Sequence, residues 1–156
     1  MPRRLIALAK RAALIAACAA ALGAAHAADD AVAWRSAADN ADVERAFAQA
    51  RTEGKPVLLY WGAKWCPPCN QLLATVFNRQ DFIERSRAFV PVYVDGDKPG
   101  AQKLGSRFAV RGYPTTVVFT PDGRELTRLP GEVDAQQYDQ VLALALVPAL
   151  VIVLVS

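Results

Sequence analysis

The chemistry of this 156-residue chain is concentrated in Trp65-Cys66-Pro67-Pro68-Cys69, where two of the three cysteines stand in a C-x-x-C spacing. If Cys66 caps a helix starting at Pro67, the two prolines fill the first turn, where a missing N–H costs least. Cys69 then lies one turn along the same face, close enough for a disulfide with Cys66. A helix N-terminus supplies partial positive charge and unpaired N–H groups, which favour the thiolate of Cys66 and lower its pKa. Cys66 is therefore expected to be the exposed, attacking sulfur and Cys69 the buried one that opens a mixed disulfide. A static disulfide is the plainer use of such a pair, although closing so short a loop stabilises little. Half of a zinc or iron–sulfur site has no second pair to complete it, and Asn70 stands where a C-x-x-C-H haem attachment needs histidine.

The other candidate chemistry leaves with the N-terminus. Arg3, Arg4, Lys10 and Arg11 precede an alanine-rich apolar run from Ala12 to Ala25, and Ala25-His26-Ala27 supplies small residues at a cut. This is the layout of a secretory signal over residues 1–27. Its removal takes Cys18 and His26, the sole histidine, and turns a formal charge of +3 into 15 acidic against 14 basic side chains. No Ser/His or Cys/His catalytic scheme, histidine-ligated metal or histidine-ligated haem then remains, no metal or other cofactor is expected, and no nucleic-acid footprint is supported. The expected location is the periplasm, where disulfides persist. A rival reading makes Ile15-Ala16-Ala17-Cys18 a lipobox with Cys18 lipidated. Against it, the preceding apolar segment is only Ala12 to Ala17, and alanines rather than a polar tether follow.

The elements that must position the dithiol follow from periodicity. Asp39 to Glu53 places Val43, Ala46, Phe47 and Ala50 on one helical face, with Asp39 or Asn40 to cap and Gly54 to end it. Pro56 to Gly62 is a short, nearly all-apolar run that suits a central strand covered on both faces. Helices are predicted over Cys69 to Phe77, Asp81 to Ala88 and Ala101 to Phe108, and a strand over Phe89 to Val94 before the polar turn Asp95-Gly96-Asp97. Thr115 to Thr120 and Glu125 to Leu129 flank the turn Pro121-Asp122-Gly123 as a hairpin. Asp134 to Leu146 closes with Tyr138, Val141, Leu142 and Ala145 on one face. This order predicts an α/β fold of one domain over 28–147, with parallel crossovers first and an antiparallel pair last. The cysteines fall at the end of a central strand, where open α/β sheets carry their chemistry.

Strand, Trp65-Cys66-Pro67-Pro68-Cys69, helix, and then Arg111-Gly112-Tyr113-Pro114-Thr115 before a strand resemble the thioredoxin superfamily over about Trp34 to Leu146. Within it, Lys55-Pro56-Val57 and Thr75-Val76-Phe77-Asn78 are most similar to the C-terminal thioredoxin-like domain of membrane-embedded periplasmic disulfide reductases. The resemblance implies a thioredoxin fold, a central mixed sheet flanked by helices. It implies that Pro114 is a cis-proline facing the cysteines, that the Tyr113 backbone pairs with a substrate chain, and that Trp65 shields the sulfurs. Read alone, Tyr113-Pro114 is a turn leading into a strand, and most X-Pro bonds are trans. The family commonly has a buried aspartate six residues before the first cysteine. Tyr60 stands there instead, and a phenol of pKa near ~10 is no base at pH 7. Lys64 reads as a solvated surface charge and Trp61 as core.

The function expected is a thiol–disulfide oxidoreductase that reduces or reshuffles disulfides in envelope proteins. Its partners would be disulfide-bearing clients and a redox partner, a membrane electron donor being one candidate, with the protein itself a monomer. The alternatives are a disulfide-forming oxidant of the same fold and a non-catalytic binding module. Val141 to Val155 carries no charge and is broken by Pro148. About fifteen residues of helix reach only ~22 Å, short of a ~30 Å hydrocarbon core, so no spanning anchor is expected. Leu142 to Val147 is expected to be the buried end of the last helix, and 148–156 an apolar tail.

Overall fold

The computed structural model describes residues 31–147, so the expected signal, Cys18 and the apolar tail lie outside the described residues. These residues fall within one compact unit that begins at Ala31. Five strands, β1 (Arg35–Ala37), β2 (Val57–Gly62), β3 (Val90–Asp95), β4 (Thr115–Phe119) and β5 (Glu125–Pro130), form one sheet in the order β1-β3-β2-β4-β5. β3 runs parallel to both β1 and β2, while β4 lies antiparallel to β2 and to β5. The sheet is thus mixed, with the parallel crossovers early in the chain and the hairpin late, as the element order implies.

β2 is buried along its whole length because both of its faces are covered. Its alternate residues enter two cores. Val57, Leu59 and Trp61 join α1 (Asn40–Glu53) and α4 (Ala101–Arg107) on one side. Leu58 and Tyr60 join Leu72, Phe82, Tyr138 and Leu142 on the other, contributed by α2 (Pro67–Leu72), α3 (Gln80–Ser86) and α5 (Ala135–Ala145). Pro91 sits inside β3 without breaking it. Val90 donates to Pro56 O toward β2 at 2.8 Å, so the next residue faces the other way, where β1 pairs only from Val92 onward.

The helix starts follow capping chemistry. Asp39 Oδ1 accepts from Asp42 N at 3.0 Å, and Asp42 Oδ2 reaches back to Ala38 N at 2.7 Å. Asp134 does the same for α5, accepting from Gln137 N at 2.8 Å. Three features depart from the sequence reading. β1 is a strand that no periodicity announces. The predicted helix from Cys69 to Phe77 begins at Pro67 and finishes in a π-helical turn, Leu73–Phe77. The end of α5 is not buried as a block: Leu142 is enclosed, but Leu144, Leu146 and Val147 are exposed, because one face of a surface helix is all the sheet can cover.

Candidate active site

β2 delivers the chain to the site and α2 carries it away. Cys66 has extended backbone, φ −89° and ψ 105°, and is the N-cap of α2, with Pro67 and Pro68 in the first turn. Its Sγ accepts from Cys69 N at 3.3 Å. The two cysteines are joined as a disulfide with Cα atoms 5.2 Å apart. A turn from Cys66 N to Ala63 O at 3.2 Å and a bond from Asn70 Nδ2 to Lys64 O at 3.1 Å hold the preceding loop against the helix.

Burial corrects one expectation. Cys69 is 1% exposed, as anticipated, but Cys66 is only 3% exposed in the disulfide form. Ala63 and Tyr113 pack with the two cysteines, and drawing the Cys66 sulfur toward Cys69 takes it under them. The Tyr113-Pro114 bond is cis, and Pro114 is buried. Trp65 is 68% exposed and borders the site through Tyr113. Its indole N–H donates to Asp97 Oδ1 at 2.7 Å, and its ring centroid lies 6.3 Å from that of Tyr113. Lys64 is exposed, and Trp61 is core, as expected.

Two residues that sequence reasoning passed over shape this surface. Asp97 was legible only as part of a turn, yet it fixes the Trp65 indole across 32 positions of sequence. Gly96 makes room for Tyr113: a Cβ on it would come within 2.4 Å of the tyrosine ring. Gly62 does likewise for Tyr60, whose hydroxyl would lie 2.6 Å from an added Cβ, and Gly96 N donates to Gly62 O at 2.7 Å. The paired glycines at the ends of β2 and β3 therefore seat two tyrosines, of which Tyr113 packs against the cysteines.

Tyr60 is 1% exposed, and its hydroxyl has no hydrogen-bond partner among the described residues. Burial, reinforced by Tyr138 and Tyr93, pushes its pKa above the ordinary phenol value. It is therefore a neutral group at pH 7 and does not act as a base for Cys69. Tyr113 and Tyr93 are raised too, first by burial and then by Asp95 and Asp97. Among the described residues there is no group of three or more His, Cys, Asp or Glu side chains that could hold a metal ion. No helix among them is long and apolar enough to cross a membrane.

A cysteine pair at the start of the helix that leaves the central strand, with an X-cis-Pro loop packed against it, defines a thioredoxin-like domain. The chain belongs to the thioredoxin-like domain family, whose sequence model matches residues 43–146. It is 33% identical over 111 residues to thiol:disulfide interchange protein DsbD 1 of Pseudomonas aeruginosa, covering 65% of this chain and 18% of that protein. To DsbD of Pseudomonas fluorescens it is 34% identical over 104 residues, covering 64% of this chain and again 18% of the relative. Among solved structures it resembles the Neisseria meningitidis DsbD C-terminal domain in the reduced form. That match has 27% identity and a TM-score of 0.60, covering 69% of this chain and 97% of that domain. A Thermus thermophilus thioredoxin matches at 26% identity and a TM-score of 0.62, over 75% of this chain and 88% of that one.

Proposed function

We propose that this chain is an exported protein thiol–disulfide oxidoreductase that reduces or reshuffles disulfides in periplasmic clients. The observation that carries the proposal is the Cys66 sulfur at the N-cap of α2, with the Cys69 N–H directed at it at 3.3 Å. In the dithiol state that N–H and the helix dipole stabilise the Cys66 thiolate. The thiolate attacks one sulfur of a client disulfide and the other client sulfur leaves as a thiolate. Cys69, deprotonated, then attacks Cys66 Sγ and releases the second client sulfur. The client gains two electrons and two protons, and the protein is left with the Cys66–Cys69 disulfide. A redox partner must return two electrons for the next cycle, a membrane electron donor being one candidate.

In this proposal Trp65, Tyr113 and the cis-Pro114 loop form the surface on which the client chain lies. Pro68 withholds the N–H that a second-position residue would offer Cys66, so the thiolate is stabilised only moderately. The pKa should then fall nearer ~7 than ~3.5, and the reduction potential below about −180 mV. Equilibration with glutathione measures that potential. A value near −120 mV, typical of a strong oxidant, would instead support the disulfide-forming alternative. Substrate trapping tests the sulfur assignment: Cys69→Ser should accumulate mixed disulfides with clients, Cys66→Ser should not, and the reverse pattern would overturn it. Intact-mass measurement of protein from the envelope should show a chain starting at Ala28. A diacylated chain starting at Cys18 would reject the soluble form.

A further inference from the structure

Two grooves flank the segment that precedes the cis-proline. One, of about 330 Å³, runs from Trp65 along α4 past Gln102 and Ser106 to Arg111 and Tyr113. The other, of about 400 Å³, lies on the far side, between Tyr113, Pro114, Arg128 and Gly131. Arg111, Gly112 and Tyr113 line both, so a chain crossing the Tyr113–Pro114 loop from one groove to the other passes over Arg111.

Among the described residues that line this path, the charged side chains are two arginines. No Asp or Glu is among the described residues lining either groove. Two carboxylates stand beside the Trp65 end of the path: Asp97 accepts from the Trp65 indole at 2.7 Å and Asp95 from Asp97 N at 3.1 Å, and both act on the Tyr113 phenol, so Arg111 is the cation that faces the client beyond them. Of the two arginines, Arg128 is neutralised by Glu125 through Nε–Oε1 at 3.0 Å and Nη2–Oε2 at 2.9 Å. Arg111 is exposed and makes no hydrogen bond or ion pair with the described residues. A guanidinium left unpaired at the junction of two carboxylate-free grooves presents five donors in a fork that suits a carboxylate.

Building on the reading of the protein as a thiol–disulfide oxidoreductase, we infer that Arg111 is a specificity-determining residue that selects clients carrying an acidic side chain next to the disulfide. The client carboxylate pairs with the guanidinium while the client sulfur meets Cys66. The pairing adds no new chemistry: the dithiol is oxidised to the disulfide and the client disulfide is reduced to two thiols. Because the pair is solvent-exposed, its worth is modest and it acts mainly on the encounter rate.

The test uses the reduced full chain and two short peptides. Each peptide contains one internal disulfide, and they differ only in having glutamates or lysines beside the first cysteine. Second-order rates of disulfide exchange are measured at low and high salt. The glutamate peptide should react about fivefold faster at low salt, and high salt should erase most of the difference. The preference should vanish in Arg111→Gln and reverse in Arg111→Glu, while Lys64→Gln, which changes a cation on the dithiol loop itself, should retain it. Equal rates for the two peptides with the unaltered protein would overturn the assignment, as would a preference that survives Arg111→Glu or disappears in Lys64→Gln. Failure of both peptides to exchange would instead defeat the oxidoreductase reading on which the assignment rests, and the assignment with it.

Discussion

Two helices of this protein begin with the same geometry and put it to different use. At the start of α1 an oxygen, Asp39 Oδ1, accepts from the third residue's N–H at 3.0 Å; at the start of α2 a sulfur, Cys66 Sγ, does so at 3.3 Å. The first cap is exposed and takes no part in redox chemistry. The second is buried, and in the proposed function it alternates between disulfide and thiolate. A permanent cap adds its hydrogen bond to the stability of the fold. A cap that changes state puts the same hydrogen bond into the difference between two redox forms, so what it tunes is reactivity.

The strongest way to break this contrast is to place a fixed negative charge in the layer on which α2 packs. Tyr60→Asp replaces a ring in the core by a buried carboxylate and should cost about 3–5 kcal/mol of stability by urea unfolding. It should also speed resolution of the mixed disulfide near pH 7 by giving Cys69 a proton acceptor. Unchanged resolution kinetics would show that another group already accepts that proton. Tyr60→Phe removes only an unpartnered hydroxyl and should leave stability equal or about 1 kcal/mol higher. A smaller perturbation sharpens the contrast at the cap itself. Pro68→Ala returns an N–H to the second position of α2 and should lower the Cys66 pKa by about one unit. The potential should rise by about 30 mV, read from glutathione equilibria and the pH profile of alkylation.

At the other helix start, Asp39→Ala should lower stability by about 1 kcal/mol and leave the Cys66 alkylation profile unmoved. The smallest effect is on acid sensitivity. The Asp42 carboxyl is held below its ordinary pKa, chiefly by the N–H of Ala38, with Arg45 beside it. A folded pKa below the unfolded one gives stability that is complete above the unfolded value near ~3.9 and is lost as pH falls through the folded value. Asp42→Asn should therefore flatten the acid limb of the stability curve below about pH 4 and leave the Cys66 titration where it was.

What the sequence revealed, and what it hid, follows from the range of each interaction. The caps at Asp39 and Cys66, the unbroken apolar run of β2 and the hairpin turn at Pro121-Asp122-Gly123 are local, and each was legible. β1 was not, because three residues joined to β3 by backbone pairing carry no periodicity of their own. Asp97 escaped because its role is a side-chain contact reaching 32 residues back to Trp65. The enclosure of Cys66 escaped because it depends on Tyr113, which the fold returns to the site from the far side of α4. Gly62 reads as the last residue of a strand and Gly96 as part of a turn, and only the rings seated on them show why a side chain cannot stand there.

The π-helical turn Leu73–Phe77 has a consequence for how this region tolerates changes of length. An α-helix advances by roughly 100° per residue, so Phe77, five positions after Leu72, would point about 140° away from it in uninterrupted α geometry. The wider turn absorbs about one extra residue, and Leu72, Val76 and Phe77 all reach the core. Exchanging one apolar side chain for another at 76 or 77 keeps that phase. Deleting a single residue between 73 and 77 should let the segment close as ordinary α-helix, with the Phe77 ring then four positions after Leu72, about 40° from it and still on the core face. Over these five positions the chain therefore has one residue to spare, and the apolar character of Leu72, Val76 and Phe77 is more constrained than the length.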